Sequence, residues 1–327
     1  MAKKKPFEAW TVDELIAEVR HRERAGTDRT RAAGTKQAKP RISRHHGLHT
    51  VPSRQLVKAV QDRQRVIYGV DDRQDLYQVK SAKVKQVSDA VVALVKKSDL
   101  TRKANGSYTL ATTSYQQEYD LCGSEPFASQ PLGCFCTGFL VKPDTIATAG
   151  HCVKSQADLA GIRFVFGFRM TNSATARNTF PAEDVYTGVK LIGRQQVDDG
   201  PDWALVRLDR PVQNHKPVSI RTSGKISSAQ KLFVIGHPCG LPMKYAPGAA
   251  VRRNDADGFF VANLDTYGGN SGSPVFNGKT YRIEGILVRG ENDFVSNGTC
   301  QVSLVCPSTG CRGEDVTRST VWAPKIP

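Results

Sequence analysis

Beyond about residue 106 the chain is a succession of short apolar runs, rich in β-branched and aromatic residues and separated by Gly, Pro, Asn and Asp. They are FLV, TIATA, FVFGF, WALVRL, KLFVIG, GFFVANL, SPVF, YRIEGILV and STVW. Runs of this kind between turn formers read as strands, and many in succession read as an all-β sandwich or a pair of barrels. Ahead of residue 106 the period changes. TVDELIAEVRHRERA (residues 11–25) lines up Val12, Leu15, Ile16 and Val19 as a helical stripe, with Thr11 and Glu14 at capping-box spacing. SRQLVKAVQDRQ (53–64) and VSDAVVALVKK (87–97) predict two further helices, the latter with Ser88 near its start. Residues 26–52 are polar, basic and unpatterned, and read as a linker.

Charge sharpens this division. Of a net +15 over 327 residues, +9 falls in residues 1–65, which hold 16 Lys/Arg against 7 Asp/Glu. The expected organisation is a basic, partly helical extension over 1–65 and a β domain over 66–327. Such an extension suits an acidic partner protein or nucleic acid, or simply a solvated arm. No apolar run reaches the roughly 18 residues that suggest a bilayer span, so no membrane association is expected. MAKKKPFEAW begins with positive charge but no apolar stretch follows, so no secretory leader is expected and the cytoplasm is the default. Eight cysteines sit badly with a reducing compartment and point instead to export by another route. The chain is expected to be a monomer.

Three segments carry candidate chemistry. DTYGGNSGSPVF (265–276) crowds small residues around Ser271, as a tight turn presenting a hydroxyl beside free amides would. TIATAGHCV (145–153) places His151 after a β-rich run, and Asp202 opens the apolar run DWALVRL. A serine hydroxyl needs a base to become a nucleophile, an imidazole can take and return that proton, and a carboxylate can fix the imidazole tautomer. The order His151, Asp202, Ser271 excludes an α/β-hydrolase, whose histidine follows its serine. A subtilisin-like order would have to use Asp144, which lacks the matching context.

CTGFLVKPDTIATAGHC, DWALVRL and GGNSGSPVF together resemble the three motifs of chymotrypsin-fold serine endopeptidases, and GNSGSPV is similar to the glutamyl-endopeptidase branch. The resemblance implies two six-stranded antiparallel β-barrels with the site in the cleft between them. It also implies His151, Asp202 and Ser271 as the catalytic residues, an oxyanion hole from the N–H groups of Gly269 and Ser271, and a Cys136–Cys152 disulfide. No metal or organic cofactor is implied, and the substrate would be protein or peptide. Where trypsin-like enzymes carry an aspartate before the nucleophile, this chain has Asn270, so activation by a new N-terminal amine paired there is not expected.

For specificity the resemblance points to Asp265, Thr266, Leu287 and Gly290. Leu287, in EGILVRGE, replaces the histidine of the glutamate-specific branch. Asp265 stands six residues before Ser271, the offset of the trypsin-like pocket carboxylate. A carboxylate opposite a basic side chain at about 4 Å and a dielectric near 20 is worth roughly 4 kcal/mol before desolvation. Cleavage after Arg or Lys is therefore expected, with cleavage after Glu as the alternative and Arg289 as a group that could neutralise Asp265. RQRVIYG (63–69) suggests processing between Arg65 and Val66. Cys300, Cys306 and Cys311 lie close enough for two to pair, with zinc as the competing reading, while Cys122, Cys134 and Cys239 have no assignment. His45, His46 and His49 lack neighbouring acidic or thiol ligands, and His215 and His237 read as structural. A protease-like binding module without turnover and a small-substrate esterase are the competing functions.

Overall fold

A computed structural model describes residues 67–68, 71–228, 230–289, 294–296, 298–306 and 311–327. The expectations for the 1–65 extension, its helices and histidines, the Arg65–Val66 junction and Gly290 lie outside these residues. The described chain enters through two short strands, β1 (Ile67–Tyr68) and β2 (Gln74–Asp75), and one helix, α1 (Ala82–Ser88). Six of the strands that follow build the first barrel: β3 (Val91–Lys96), β4 (Cys136–Lys142), β5 (Thr145–Thr148), β6 (Ile162–Phe166), β7 (Val185–Gln196) and β8 (Asp202–Leu208). They close antiparallel into a barrel in the order β3-β4-β5-β8-β7-β6.

The second barrel uses β9 (Lys231–Gly236), β10 (Lys244–Arg253), β11 (Phe259–Ala262), β12 (Pro274–Asn277), β13 (Ile283–Arg289) and β14 (Glu314–Arg318). Its antiparallel ring runs β9-β12-β13-β14-β11-β10 and closes through β9–β10, with β2 added along β10. The fold is the double barrel that the resemblance implies. Closure leaves no long sheet edge unpaired.

The alternation of side chains along a strand explains how so apolar a chain forms two layers. In β9, Leu232 and Val234 join the core inside the second barrel, whereas Phe233 and Ile235 join the large cluster shared with the first. In β12 and β13, Val275 and Leu287 point to the first set, and Phe276, Ile286 and Val288 to the second.

Two expectations fail for the same reason. Residues 87–97 are not a helix: α1 ends at Ser88 and VVALVK forms β3. Its Val92 and Leu94 enter one core cluster and Ala93 and Val95 another, so both faces are buried. A strand buried on both faces reads as an unbroken apolar run, which periodicity cannot separate from a buried helix. Conversely, STVW is not a strand but a single helical turn, α2 (Ser319–Trp322). It has no strand partner, and the turn seats a fully buried Trp322 edge-on against Phe139 of the first barrel, with ring centroids 5.7 Å apart.

Three disulfides tie the fold. Cys136–Cys152 joins β4 to the turn after β5, as the resemblance implies. Cys306–Cys311 closes a small loop, and Cys122–Cys300 links chain segments 178 residues apart. These pairings leave the Cys300, Cys306 and Cys311 group no thiolate for zinc. Cys134 and Cys239 stand outside the three bridges.

Candidate active site

His151 leaves the end of β5 on a turn that only a glycine can form. A Cβ on Gly150 would lie 2.3 Å from the Gln195 carbonyl oxygen and 2.9 Å from Asp202 Oδ1. Arg194 Nε, on β7, donates to the Gly150 carbonyl at 2.7 Å and fixes the turn from the other side. The first residue of β8 is Asp202, whose side chain is 3% exposed against 28% for that of His151. A carboxylate so deeply buried needs donors, and three are supplied. Oδ1 accepts from Gly150 N–H at 2.6 Å and from His151 N–H at 3.2 Å, and Oδ2 lies 2.7 Å from His151 Nδ1. The last contact holds Nδ1 toward the carboxylate and leaves Nε2 as the outward nitrogen of a half-exposed ring.

Asp202 is also held through its backbone. The Thr317 hydroxyl, from β14 of the second barrel, accepts from Asp202 N–H at 2.9 Å and donates to Asp202 C=O at 3.0 Å. Nothing in the local sequence marks Thr317 for this role. Asp144, the other aspartate considered for His151, instead accepts from Arg207 Nη1 at 3.1 Å.

Ser271 lies on the turn entering β12 and is packed against the end of the first barrel that carries His151. Its carbonyl accepts from Thr137 N–H at 2.9 Å and lies 3.7 Å from Sγ of Cys152, the residue after His151. The neighbouring Gly272, at φ +88°, comes so close that a Cβ would sit 2.0 Å from the Thr137 carbonyl and 2.3 Å from Thr148 Oγ1. Gly269, at φ +75°, likewise has room for no side chain, since a Cβ would meet His237 O at 2.5 Å and Gly240 N at 2.6 Å. Both glycines are therefore demanded by conformation and by space. The carbonyl of Gly268 accepts from Cys239 N–H and that of Gly269 from Thr137 Oγ1. Because C=O and N–H of a trans peptide point opposite ways, the first bond turns the Gly269 N–H away from the 237–241 loop. That loop is stiffened by His237, fully buried and stacked on Phe168, whose Nδ1 lies 2.9 Å from Leu241 O. Burial depresses this imidazole to about 4 and keeps it neutral.

Among the described residues, Cys136, His151 and Cys152 bring potential metal-binding atoms within 4.8 Å of one another. The two sulfurs are bonded to each other, so the group offers one imidazole and no thiolate.

The expected pocket residues have varied fates. Leu287 is fully buried in the second-barrel core rather than facing an open pocket. Its backbone brackets the serine turn, accepting from Gly272 N–H at 2.8 Å and donating to Ser273 C=O at 2.9 Å. Thr266 Oγ1 donates to the buried Glu314 Oε2 at 3.0 Å. Asp265 is engaged by the entering chain, its Oδ1 accepting from Tyr68 N–H at 2.7 Å. Burial, and then the adjacent Asp72, push its carboxyl up to about 7. Arg289 does not neutralise Asp265: its Nε donates to Asp315 Oδ2 at 3.2 Å. Asn270, which cannot pair with an amine as an aspartate would, accepts from Ser273 Oγ through Oδ1 at 3.3 Å.

Known proteins resemble parts of this chain. The family profile described as "Trypsin-like peptidase domain" matches residues 136–286. The glutamyl endopeptidase of Bacillus licheniformis is 28% identical over 152 residues, 43% of this chain and 45% of that protein. A protein of Bacillus subtilis named extracellular metalloprotease is 28% identical over 188 residues, 51% of this chain and 53% of that one. The chain thus spans about half the length of the curated relatives it matches. A solved glutamyl endopeptidase in complex with MPD is similar at 19% identity and TM-score 0.45, covering 80% of this chain and 97% of its own. The matched residues 136–286 run from β4 into β13, across both barrels.

Proposed function

We propose that the chain is a serine endopeptidase that acts through an acyl-enzyme. His151 Nε2 takes the proton from Ser271 Oγ as the oxygen attacks the scissile carbonyl, then returns it to the leaving amine. Water repeats the sequence to release the acyl group. Asp202 holds the ring in the required tautomer and balances the imidazolium, and the N–H groups of Gly269 and Ser271 receive the developing oxyanion. The observation that carries this reading is the 2.7 Å contact between His151 Nδ1 and a carboxylate saturated with donors, beside the serine turn. Protein or peptide is the substrate class.

Cleavage after Arg or Lys is the finer expectation, and the geometry does not favour it. The Asp265 carboxyl is buried and bonded to Tyr68 N–H, so it stands as an anchor for the entering chain rather than as a reader of substrate charge. A peptide panel decides the point: a strong preference for basic residues that Asp265→Asn abolishes would restore the expectation.

The reading itself is tested by fluorophosphonate labelling and casein turnover. Wild type should take label on Ser271, and Ser271→Ala should lose turnover by on the order of 10⁴-fold or more. Undiminished turnover by Ser271→Ala would overturn it.

A further inference from the structure

We infer that Arg289 is a positioning residue that braces the turn leading into Asp202 from across the barrel boundary; this rests on the triad reading above. Its guanidinium makes three bonds in three directions. Nε donates to Asp315 Oδ2 at 3.2 Å, Nη1 to the Val197 carbonyl at 2.9 Å, and Nη2 to the Gly200 carbonyl. Arg289 ends β13 and Asp315 is its cross-strand partner on β14, both in the second barrel. Val197 and Gly200 belong to the turn between β7 and β8, in the first. The turn is compact, with Gly200 N–H donating to Val197 C=O at 3.1 Å and Val197 N–H to Pro201 C=O at 3.0 Å. Asp202 follows immediately.

The two carbonyls that accept from Arg289 are the handles by which the second barrel can hold this turn. Thr317 grips Asp202 itself, so the six residues 197–202 are fixed at both ends by β13 and β14. Asp315 in turn orients the guanidinium and is itself supported by Arg312 Nη2 at 2.9 Å. The planar fork reaches the Asp315 carboxylate on one side and two carbonyls three residues apart on the other; the single ammonium nitrogen of a lysine at this position keeps the charge but not that span. Loss of the brace lets the carboxylate drift relative to the His151 ring, and misplacement on the order of 1 Å can cost up to about 10²-fold in rate.

The probe is a small fluorophosphonate, whose second-order rate with Ser271 reports the readiness of the triad without a peptide that could touch Arg289. Per folded molecule, Arg289→Ala should react about 10-fold more slowly than wild type. Arg289→Lys, which keeps the charge opposite Asp315 and guards against misfolding, should also be slowed several-fold. Arg312→Ala removes the other partner of Asp315 but leaves both Arg289 bonds to the turn, and should be slowed clearly less than Arg289→Ala. Arg289→Lys reacting at the wild-type rate, or Arg312→Ala slowed as much as Arg289→Ala, would overturn the brace while leaving the triad reading intact. A wild-type protein that takes no label would overturn the triad reading, and the brace with it.

Discussion

Asp265 illustrates how one carboxyl can change meaning between sequence and structure. Its offset from Ser271 suggests a substrate reader, yet its surroundings are the chain's own Tyr68 N–H, the carboxyls of Asp71 and Asp72, and the Arg73 guanidinium, itself paired with Asp71 at 2.6 Å. Burial is the largest cause of its rise to about 7, and burial also carries Asp72 up to about 6. Both values stand above the ordinary carboxylate value of 3.8, so the folded state retains protons that the unfolded chain has released. Stability from this pair is therefore full below the ordinary value and lost as pH rises through about 6 to 7. Asp265→Asn keeps the acceptor for Tyr68 N–H and removes the charge. Its Tm advantage over wild type should be small near pH ~4 and larger near pH ~8. An advantage that does not vary with pH would contradict the burial account. The proposed triad was legible because its roles fix both residue type and local context: a histidine after a small-residue turn, an aspartate opening a strand, a serine among glycines. The roles of Arg289 and Thr317 were not, because each meets Asp202 or its turn only once the barrels close, and the sequence offers Arg289 only as a neutraliser of Asp265.

At the scale of elements, the strands that announce themselves are those free of interruption, such as KLFVIG, which forms β9 from end to end. The longest strand, β7, was missed. VYTGVKLIGRQQ is broken by two glycines and by register shifts near each, so its alternation never settles. Those glycines are packing features. A Cβ on Gly188 would lie 2.8 Å from Val206 Cγ1, 2.9 Å from Leu159 Cδ2 and 3.0 Å from Phe164 Cε2, while Gly193 faces the Trp203 ring at 3.2 Å. Two effects then compete in Gly188→Ala. Relief of glycine's conformational entropy favours the variant by roughly 0.5–1 kcal/mol, and overpacking three buried side chains opposes it by about 1–3 kcal/mol. The second should win, so the variant should be less stable, with a lower urea midpoint at unchanged m-value. A raised midpoint would mean that the barrel wall has slack that the packing does not suggest.

At the scale of the whole molecule the proposed triad spans a boundary: His151 and Asp202 come from the first barrel and Ser271 from the second, so anything that fixes the barrels to each other also fixes the triad. Among the described residues, Cys122–Cys300 is the covalent link suited to this. Cys122 lies in the connection between β3 and β4, and Cys300 in that between β13 and β14. Backbone contacts run beside it, with Cys122 N–H donating to Gln301 C=O at 2.9 Å and Gln301 N–H to Asp120 C=O at 2.7 Å. Cys136–Cys152, in contrast, closes a loop with a separation of only 16 residues inside the first barrel, against 178 for the crossing bridge. If a disulfide acts by limiting the unfolded chain, its effect grows with the logarithm of the loop: about 3 kcal/mol for a loop of about 15 residues and about 4.7 kcal/mol for one of about 100. Replacing both Cys122 and Cys300 by serine should therefore lower Tm more than replacing both Cys136 and Cys152. For a domain of this size each kcal/mol is worth about 2–4 °C, so the expected gap is several degrees. Calorimetry of the two double variants at the same pH measures it. An equal or smaller fall for the Cys122/Cys300 variant would mean that loop entropy does not govern this bridge, and that the barrels are held together by the Thr317 and Arg289 contacts and the shared core instead.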